Sequence, residues 1–207
     1  GNCAPTLAAL GITTTPTEYA SDKIASYEGG AKVRLFDKVQ VNASLFYIDW
    51  KNPQVTQRLT QCGHTYIDNA GKAHSQGGDI QANGRFGPFA LTASVSYTDA
   101  VYDETVMTKV PAGTAPQVVV SKCDDTGSPR WQAAFSAQYN FQVMDHDAYV
   151  RGDYQYSGKY TRTPNAPSFS YSAGVYRGAP TAFVTLRAGM NFGHVEASAF
   201  INNATNE

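Results

Sequence analysis

Phe89-Ala90-Leu91-Thr92-Ala93-Ser94-Val95-Ser96-Tyr97-Thr98 sets an apolar residue beside a small or hydroxylated one at every step. Strand side chains switch faces at each residue, so this stretch builds one apolar and one polar face. The same period recurs outward in both directions. Upstream, Val39, Val41, Ala43, Leu45 and Tyr47 alternate with Gln40, Asn42 and Ser44. Downstream, Trp131, Ala133, Phe135, Ala137, Tyr139 and Phe141 alternate with Gln132, Ala134, Ser136, Gln138 and Asn140. Val150, Gly152, Tyr154 and Tyr156 oppose Arg151, Asp153, Gln155 and Ser157, and Val184, Leu186, Ala188, Met190 and Phe192 oppose Thr185, Arg187, Gly189 and Asn191. Two weaker copies carry Tyr27, Ala31, Val33 and Leu35, then Ile80, Ala82 and Phe86, and Val195, Ala197, Ala199 and Ile201 complete an eighth. No stretch competes as a helix of useful length.

The connections sort by length. Segments ending at Phe36, Phe86, Phe141 and Phe192 turn back within two to four residues, at Asp37-Lys38, Gly87-Pro88, Val143 to His146 and Gly193-His194, lengths that suit β-hairpins. At the other end the links are long and rich in Gly, Pro, Thr and Asp, over 104–130, 161–180 and the opening 1–25, with a shorter one near 53–65. Alternating tight turns and long loops are the order of an outer-membrane barrel, with the turns in the periplasm and the loops outside. Aromatics follow the same division. Phe36, Phe86, Phe89, Phe141 and Phe192 gather at the tight-turn end, and Tyr47, Trp50, Tyr97, Tyr102, Trp131, Tyr154 and Tyr156 at the other, as belts at two membrane interfaces would. Strands of about 11–15 residues exceed the usual 5–6 of globular sheets and are long enough to cross a bilayer at a tilt.

Composition closes other routes. Sixteen Lys and Arg against seventeen Asp and Glu leave a net charge of -1, without the basic excess of a nucleic-acid binder. No apolar run approaches the roughly 20 residues of a membrane helix. The mean hydropathy of -0.35 would describe a water-soluble chain, but alternating lipid-facing and water-facing residues average out in a barrel. No signal peptide is visible at the start. A water-soluble β-sandwich binding module, or solenoid, remains the alternative for alternation alone; long strands, sorted loops and aromatic belts favour the membrane.

Several stretches resemble the C-terminal half of TonB-dependent outer-membrane receptors, gated transporters for iron chelates, cobalamin, sugars and similar nutrients. Ser21-Asp22-Lys23-Ile24-Ala25-Ser26-Tyr27-Glu28-Gly29-Gly30-Ala31-Lys32 is similar to that family's strand opening. Leu45 to Gln54, Asn69 to Gly77 and Phe200 to Glu207 follow in the family's order and spacing, with Gly78-Asp79 departing where an apolar residue and Glu are usual. The resemblance implies an all-β fold, a transmembrane antiparallel barrel of about 22 strands, of which residues 1–207 would supply eight consecutive ones from the C-terminal segment. It implies an N-terminal plug domain and a final strand that this chain lacks, and as partners the outer-membrane lipid, the remaining strands, the TonB energy-coupling protein acting on the plug, and a nutrient ligand such as an iron-siderophore. Eight strands with two bare edges would leave unpaired backbone groups that lipid does not permit. The competing arrangement is a stand-alone eight-stranded barrel with a structural or adhesion role, whose interior side chains just fill.

Site expectations follow from the polar face. Glu28, Lys32, Arg34, Asp79, Arg85, Arg151, Asp153, Arg187 and Glu196 are expected to line a wet lumen, either touching a plug or only keeping the interior polar. Ligand contacts are expected from the long loops, at Tyr102, Trp131, Tyr160 and Arg162. Of Cys3, Cys62 and Cys123, the first two are the expected disulfide in an extracytoplasmic compartment. Cys62-Gly63-His64 spaces two potential metal ligands with nothing to complete the set, so neither metal nor cofactor is expected. Asp125-Thr126-Gly127 copies the triplet of aspartic proteases, but that chemistry needs two such carboxylates sharing a proton and there is no second triplet. Without a nucleophile elbow, P-loop or catalytic pair, the chain reads as a transport protein and not an enzyme.

Overall fold

The computed structural model describes residues 3–11, 14–15, 17–59, 62–69, 71–161 and 177–205. Helix α1 (Ala4–Ala9) precedes β1 (Lys23–Leu35) and β2 (Val39–Lys51). A short ribbon, β3 (Gln54–Arg58) and β4 (Thr65–Asn69), leads to β5 (Lys72–Phe86) and β6 (Phe89–Tyr102). A second ribbon, β7 (Val106–Met107) and β8 (Val118–Val120), leads to β9 (Trp131–Val143) and β10 (His146–Ser157). A third, β11 (Tyr160–Thr161) and β12 (Arg177–Gly178), leads to β13 (Thr181–Asn191) and β14 (Glu196–Ile201).

The eight long strands form one antiparallel sheet in the order β1-β2-β5-β6-β9-β10-β13-β14, a plain up-and-down meander. Each corresponds to one alternating segment of the sequence. Among the described residues no ladder joins β1 to β14, so the closed eight-stranded barrel is not what these strands build. Both edges stay open for further strands, as the backbone of a membrane wall requires.

Tight turns close one end. Lys38 N–H donates to the Leu35 carbonyl at 3.1 Å around Phe36 (φ +50) and Asp37 (φ +52). Met144 (φ +48) and Asp145 (φ +63) make the same mirror-image turn between Val143 and His146. Positive φ at both central residues matches the right-handed twist of the flanking strands. Phe36 therefore sits at a turn tip, 91% exposed, and does not belong to the strand face that carries Phe89 and Phe141.

Directly opposed residues in an antiparallel ladder share a face, so the register decides what each side of the wall presents. Leu45 opposes Gly78, Ile80 opposes Val95, Phe135 opposes Tyr154 and Leu186 opposes Ile201, all on one side. Leu45 is 73% exposed, Ile80 57% and Ile201 61%, with no second sheet over them. That overturns the sandwich alternative, whose apolar faces must be covered. Phe89 packs on Tyr139 with centroids 4.9 Å apart and His146 on Phe192 at 5.0 Å near the tight turns, while Tyr97 packs on Trp131 at 4.8 Å at the other end. The register corrects the outer belt in two places. Trp50 opposes Ile24 and Ala73 opposes Tyr102, both on the polar side, because their positions are out of step with Tyr47 and Tyr97. Trp50 Nε1 donates to Asp22 at 2.6 Å there, which a ring facing lipid would not do.

At the long-loop end the connections fold into a cap. Leu7 of α1 packs with Leu59 and Tyr66 of the first ribbon, and a Cys3–Cys62 disulfide closes that cluster. Val55 packs with Val106 and Val119, which ties the first ribbon to the second. Among the described residues these are the two clusters of buried apolar side chains; the helix, six residues long, and the ribbons within the loops were not legible as alternating segments.

Candidate functional site

The polar face runs the length of the wall beneath the cap. One row crosses it as Arg85, Ala90, Gln138, Arg151, Arg187 and Phe200, each opposite the next. The neighbouring row carries Arg34, Gln40, Asn83, Thr92, Ser136 and Asp153. Two rows further along, Gly30, Ser44, Asp79, Ser96 and Gln132 align. Glu28 and Lys32 lie on this side of β1, and Glu196 lies opposite Asn191 on this side of β14. The register thus brings all nine charged side chains of the polar segments to one surface, the side away from Leu45 and Ile80.

Their partners differ. Arg151 and Arg187 are directly opposed, a like-charge pair. Arg151 resolves it by a fork onto Asp153, Nε at 3.0 Å to each oxygen and one terminal nitrogen at 2.7 Å, and Arg187 lies 5.6 Å from the centre of the Phe200 ring. Asp79 accepts from the Ser44 hydroxyl at 2.5 Å. Beside it, a Cβ at Gly78 would lie 2.6 Å from Leu45, so the departure at Gly78-Asp79 leaves room for a large neighbour. Tyr149, which nothing in the alternation singled out, lies flat over Gly189 and donates to Glu196 at 2.9 Å. An aromatic ring laid over a cross-strand glycine is a recognisable sheet device, and Tyr160 covers Gly178 in the same way.

Of the four loop residues expected to touch ligand, the three that are described stand in different places. Tyr102 is half-buried against the Val55, Val106 and Val119 cluster, under the cap on the lumen side. Tyr160 stands in the third ribbon. Trp131 is on the lipid side, packed on Tyr97, because its parity matches Ala133 and Phe135. Arg162 lies outside the described residues, as does most of the 161–180 loop. Asn69 does structural work instead: its amide donates to the Ala20 and Asn52 carbonyls at 2.8 and 2.9 Å and accepts from Ala20 N–H at 2.7 Å. Burial pushes the Tyr66 phenol above its ordinary value, with Lys109 opposing and Asp68 adding to the shift. Lys109 and Asp68 pair directly over it. Asp125 caps its own turn by accepting from Gly127 N–H at 2.8 Å, which is what the Asp-Thr-Gly triplet does here. Cys123 is a free, exposed thiol. Among the described residues no group of three or more His, Cys, Asp or Glu is placed to hold a metal ion.

A one-layer wall with one apolar face, one face that carries the charged side chains, and loops folded into a cap is the plan of a large outer-membrane barrel. The family model for the TonB dependent receptor-like β-barrel matches residues 4–204. The chain belongs to this family. Barrels of TonB-dependent receptors lie in the outer membrane of Gram-negative bacteria, and so does this wall. Its family consists of transport receptors. Nothing among the curated proteins matches the chain. Among solved structures it is similar to the FrpB iron transporter from Neisseria meningitidis (F5-1 variant, apoprotein form), at 13% identity and a TM-score of 0.66, over 94% of this chain and 28% of that one. The siderophore receptor PiuA from Acinetobacter baumannii matches at 18% identity and 0.66, over 89% and 24%. The ferripyoverdine receptor of the outer membrane of Pseudomonas aeruginosa, bound to ferripyoverdine, matches at 18% and 0.61, over 90% and 24%. At these identities the likeness is one of fold, and the chain spans about a quarter of the length of each.

Proposed function

We propose that this chain is a C-terminal part of the barrel wall of a TonB-dependent receptor that takes up a scarce nutrient of the iron-siderophore class. The observation that carries the proposal is the division of the wall: one face apolar from the tight turns up to the row of Leu45, Gly78 and Tyr97, the other polar and carrying the charged side chains below a folded cap. Such a wall does no bond chemistry. It encloses a wet path, keeps that path polar, and holds outer loops over its mouth. Tyr102 and Tyr160, under and within those loops, are the proposed cargo contacts, with Arg162 two residues after Tyr160 in the sequence. The similar structures are an iron transporter, a siderophore receptor and a ferripyoverdine receptor, which favours that cargo over a sugar or cobalamin. A plug domain inside the barrel and a TonB partner to supply energy belong to the same proposal.

Cells that lack the intact receptor and depend on iron chelates provide the test. Uptake of radioactive iron from a panel of ferric siderophores should fall for at least one chelate on deletion and return when the full-length receptor is restored. Unchanged uptake of every chelate, with loss instead of a sugar or cobalamin, would reject the iron assignment.

A further inference from the structure

Three lysines stand side by side at the outer rim of the lipid face. Lys23 of β1 lies directly opposite Lys51 of β2, and Lys51 directly opposite Lys72 of β5. Their parity is that of Tyr27, Tyr47, Leu45 and Ile80, so they belong to the membrane side and not to the lumen. Like charges opposed on neighbouring strands destabilise a sheet, and a row of three calls for an anion. The carboxylates at hand answer only in part. Lys51 meets Asp49 at 3.6 Å and Lys72 meets Glu104 at 3.8 Å, both lysine side chains being more than half exposed. Lys23 forms no ion pair among the described residues.

The height of the row names the medium. Lys23 stands twelve residues from Leu35, Lys51 twelve from Val39 and Lys72 twelve from Gly84. At about 3.3 Å per residue and a tilt of about 40° that is roughly 30 Å along the membrane normal, just above an apolar band of about 25 Å. The ammonium groups therefore lie level with the headgroups of the outer leaflet, above the Tyr27 and Tyr47 rings. The tight-turn rim has no such row; its turns carry Asp37, Lys38 and Asp145. Below the lysines, on the same three strands, Gly29, Ala31, Ala43 and Gly78 leave a shallow trough of about 970 Å³, walled by Leu45, Ile80, Val95 and Tyr97.

The geometry points to a site for one phosphate-bearing lipid of the outer leaflet, with its phosphate among Lys23, Lys51 and Lys72 and an acyl chain in the trough. Charge complementarity selects the headgroup, since an anion relieves the opposed lysines. The trough selects a lipid over a soluble anion. The site is independent of the nutrient carried, so it stands or falls apart from the uptake test.

Native mass spectrometry of the full-length receptor, purified in detergent, tests it with lipid A carrying both phosphates, the same lipid A after phosphatase treatment, and inorganic phosphate as competitor. The phosphorylated lipid should bind about ten-fold more tightly than the dephosphorylated one, and K23Q/K51Q/K72Q should erase that preference. Ala43→Leu, which fills the trough, should weaken both lipids and leave the preference intact. Equal binding of the two lipids by the unaltered receptor overturns the site, whether or not the triple variant inserts. So does a preference that survives in the triple variant, or displacement of the lipid by millimolar inorganic phosphate. Unchanged lipid binding by Ala43→Leu removes the acyl-chain contact and with it the assignment to a lipid.

Discussion

Met144 and Asp145 hold φ values of +48 and +63, a conformation that costs residues with a Cβ of the order of 1 kcal/mol each. Asn-Gly is the pair that this turn favours. Met144→Asn combined with Asp145→Gly should therefore stabilise the barrel by about 1 kcal/mol, seen as a higher midpoint of heat unfolding; an unchanged or lower midpoint would contradict the turn type. The place of this connection was legible in the sequence, but its two-residue length and its type were not. No Gly or Asn marks it, and only the pairing of Val143 with His146 forces both residues to positive φ. Asn69 illustrates the same limit. It lies in a stretch quoted for family likeness, yet its three hydrogen bonds to Ala20 and Asn52 join segments remote in sequence, which no local pattern records.

Among the elements, the long strands and the cap obey different rules. A 13-residue strand with period-two alternation needs no partner to be recognised, because its two faces are written into consecutive residues. The ribbons β3–β4 and β7–β8 are short and owe their position to Val55, Val106 and Val119 meeting, which their sequences do not announce. The Cys3–Cys62 bridge spans 59 residues and anchors α1 to the first ribbon. A loop of that size stabilises by about 4 kcal/mol in the chain-entropy account. Because the closed loop contains β1 and β2, Cys3→Ser or reduction should lower the heat midpoint of the barrel and also make the segment around α1 sensitive to added protease. An unchanged midpoint with that segment exposed would show the cap unfolding apart from the wall.

For the molecule as a whole, the sheet is a boundary between lipid and water one residue thick. Ile80 and Gln81 are neighbours in sequence and face opposite media. Ile80→Arg should cost about 2–4 kcal/mol and impair insertion, as an arginine facing the bilayer centre does. Gln81→Arg should be nearly neutral. The heat-dependent mobility shift of the folded barrel on gels separates the two outcomes, and equal effects would mean that the faces are assigned wrongly. The alternation and the sorted loop lengths were readable in the sequence, since each is a local consequence of strand geometry. The two open edges were expected only from the family resemblance, against a closed eight-stranded barrel, and the strand order decided between them. Strand parity at Trp50 and Tyr102 was not readable: an aromatic residue near a strand end fits either face until the register is known. The chain's own order of residues was thus enough for eight strands, their direction and a membrane setting, because period two and turn length act over neighbouring residues. Which rings share the apolar face, which charges meet on neighbouring strands and how the loops fold into a cap were decided only by tertiary pairing. Those contacts join positions tens of residues apart, and a shift of one residue in register would send every one of them to the other side.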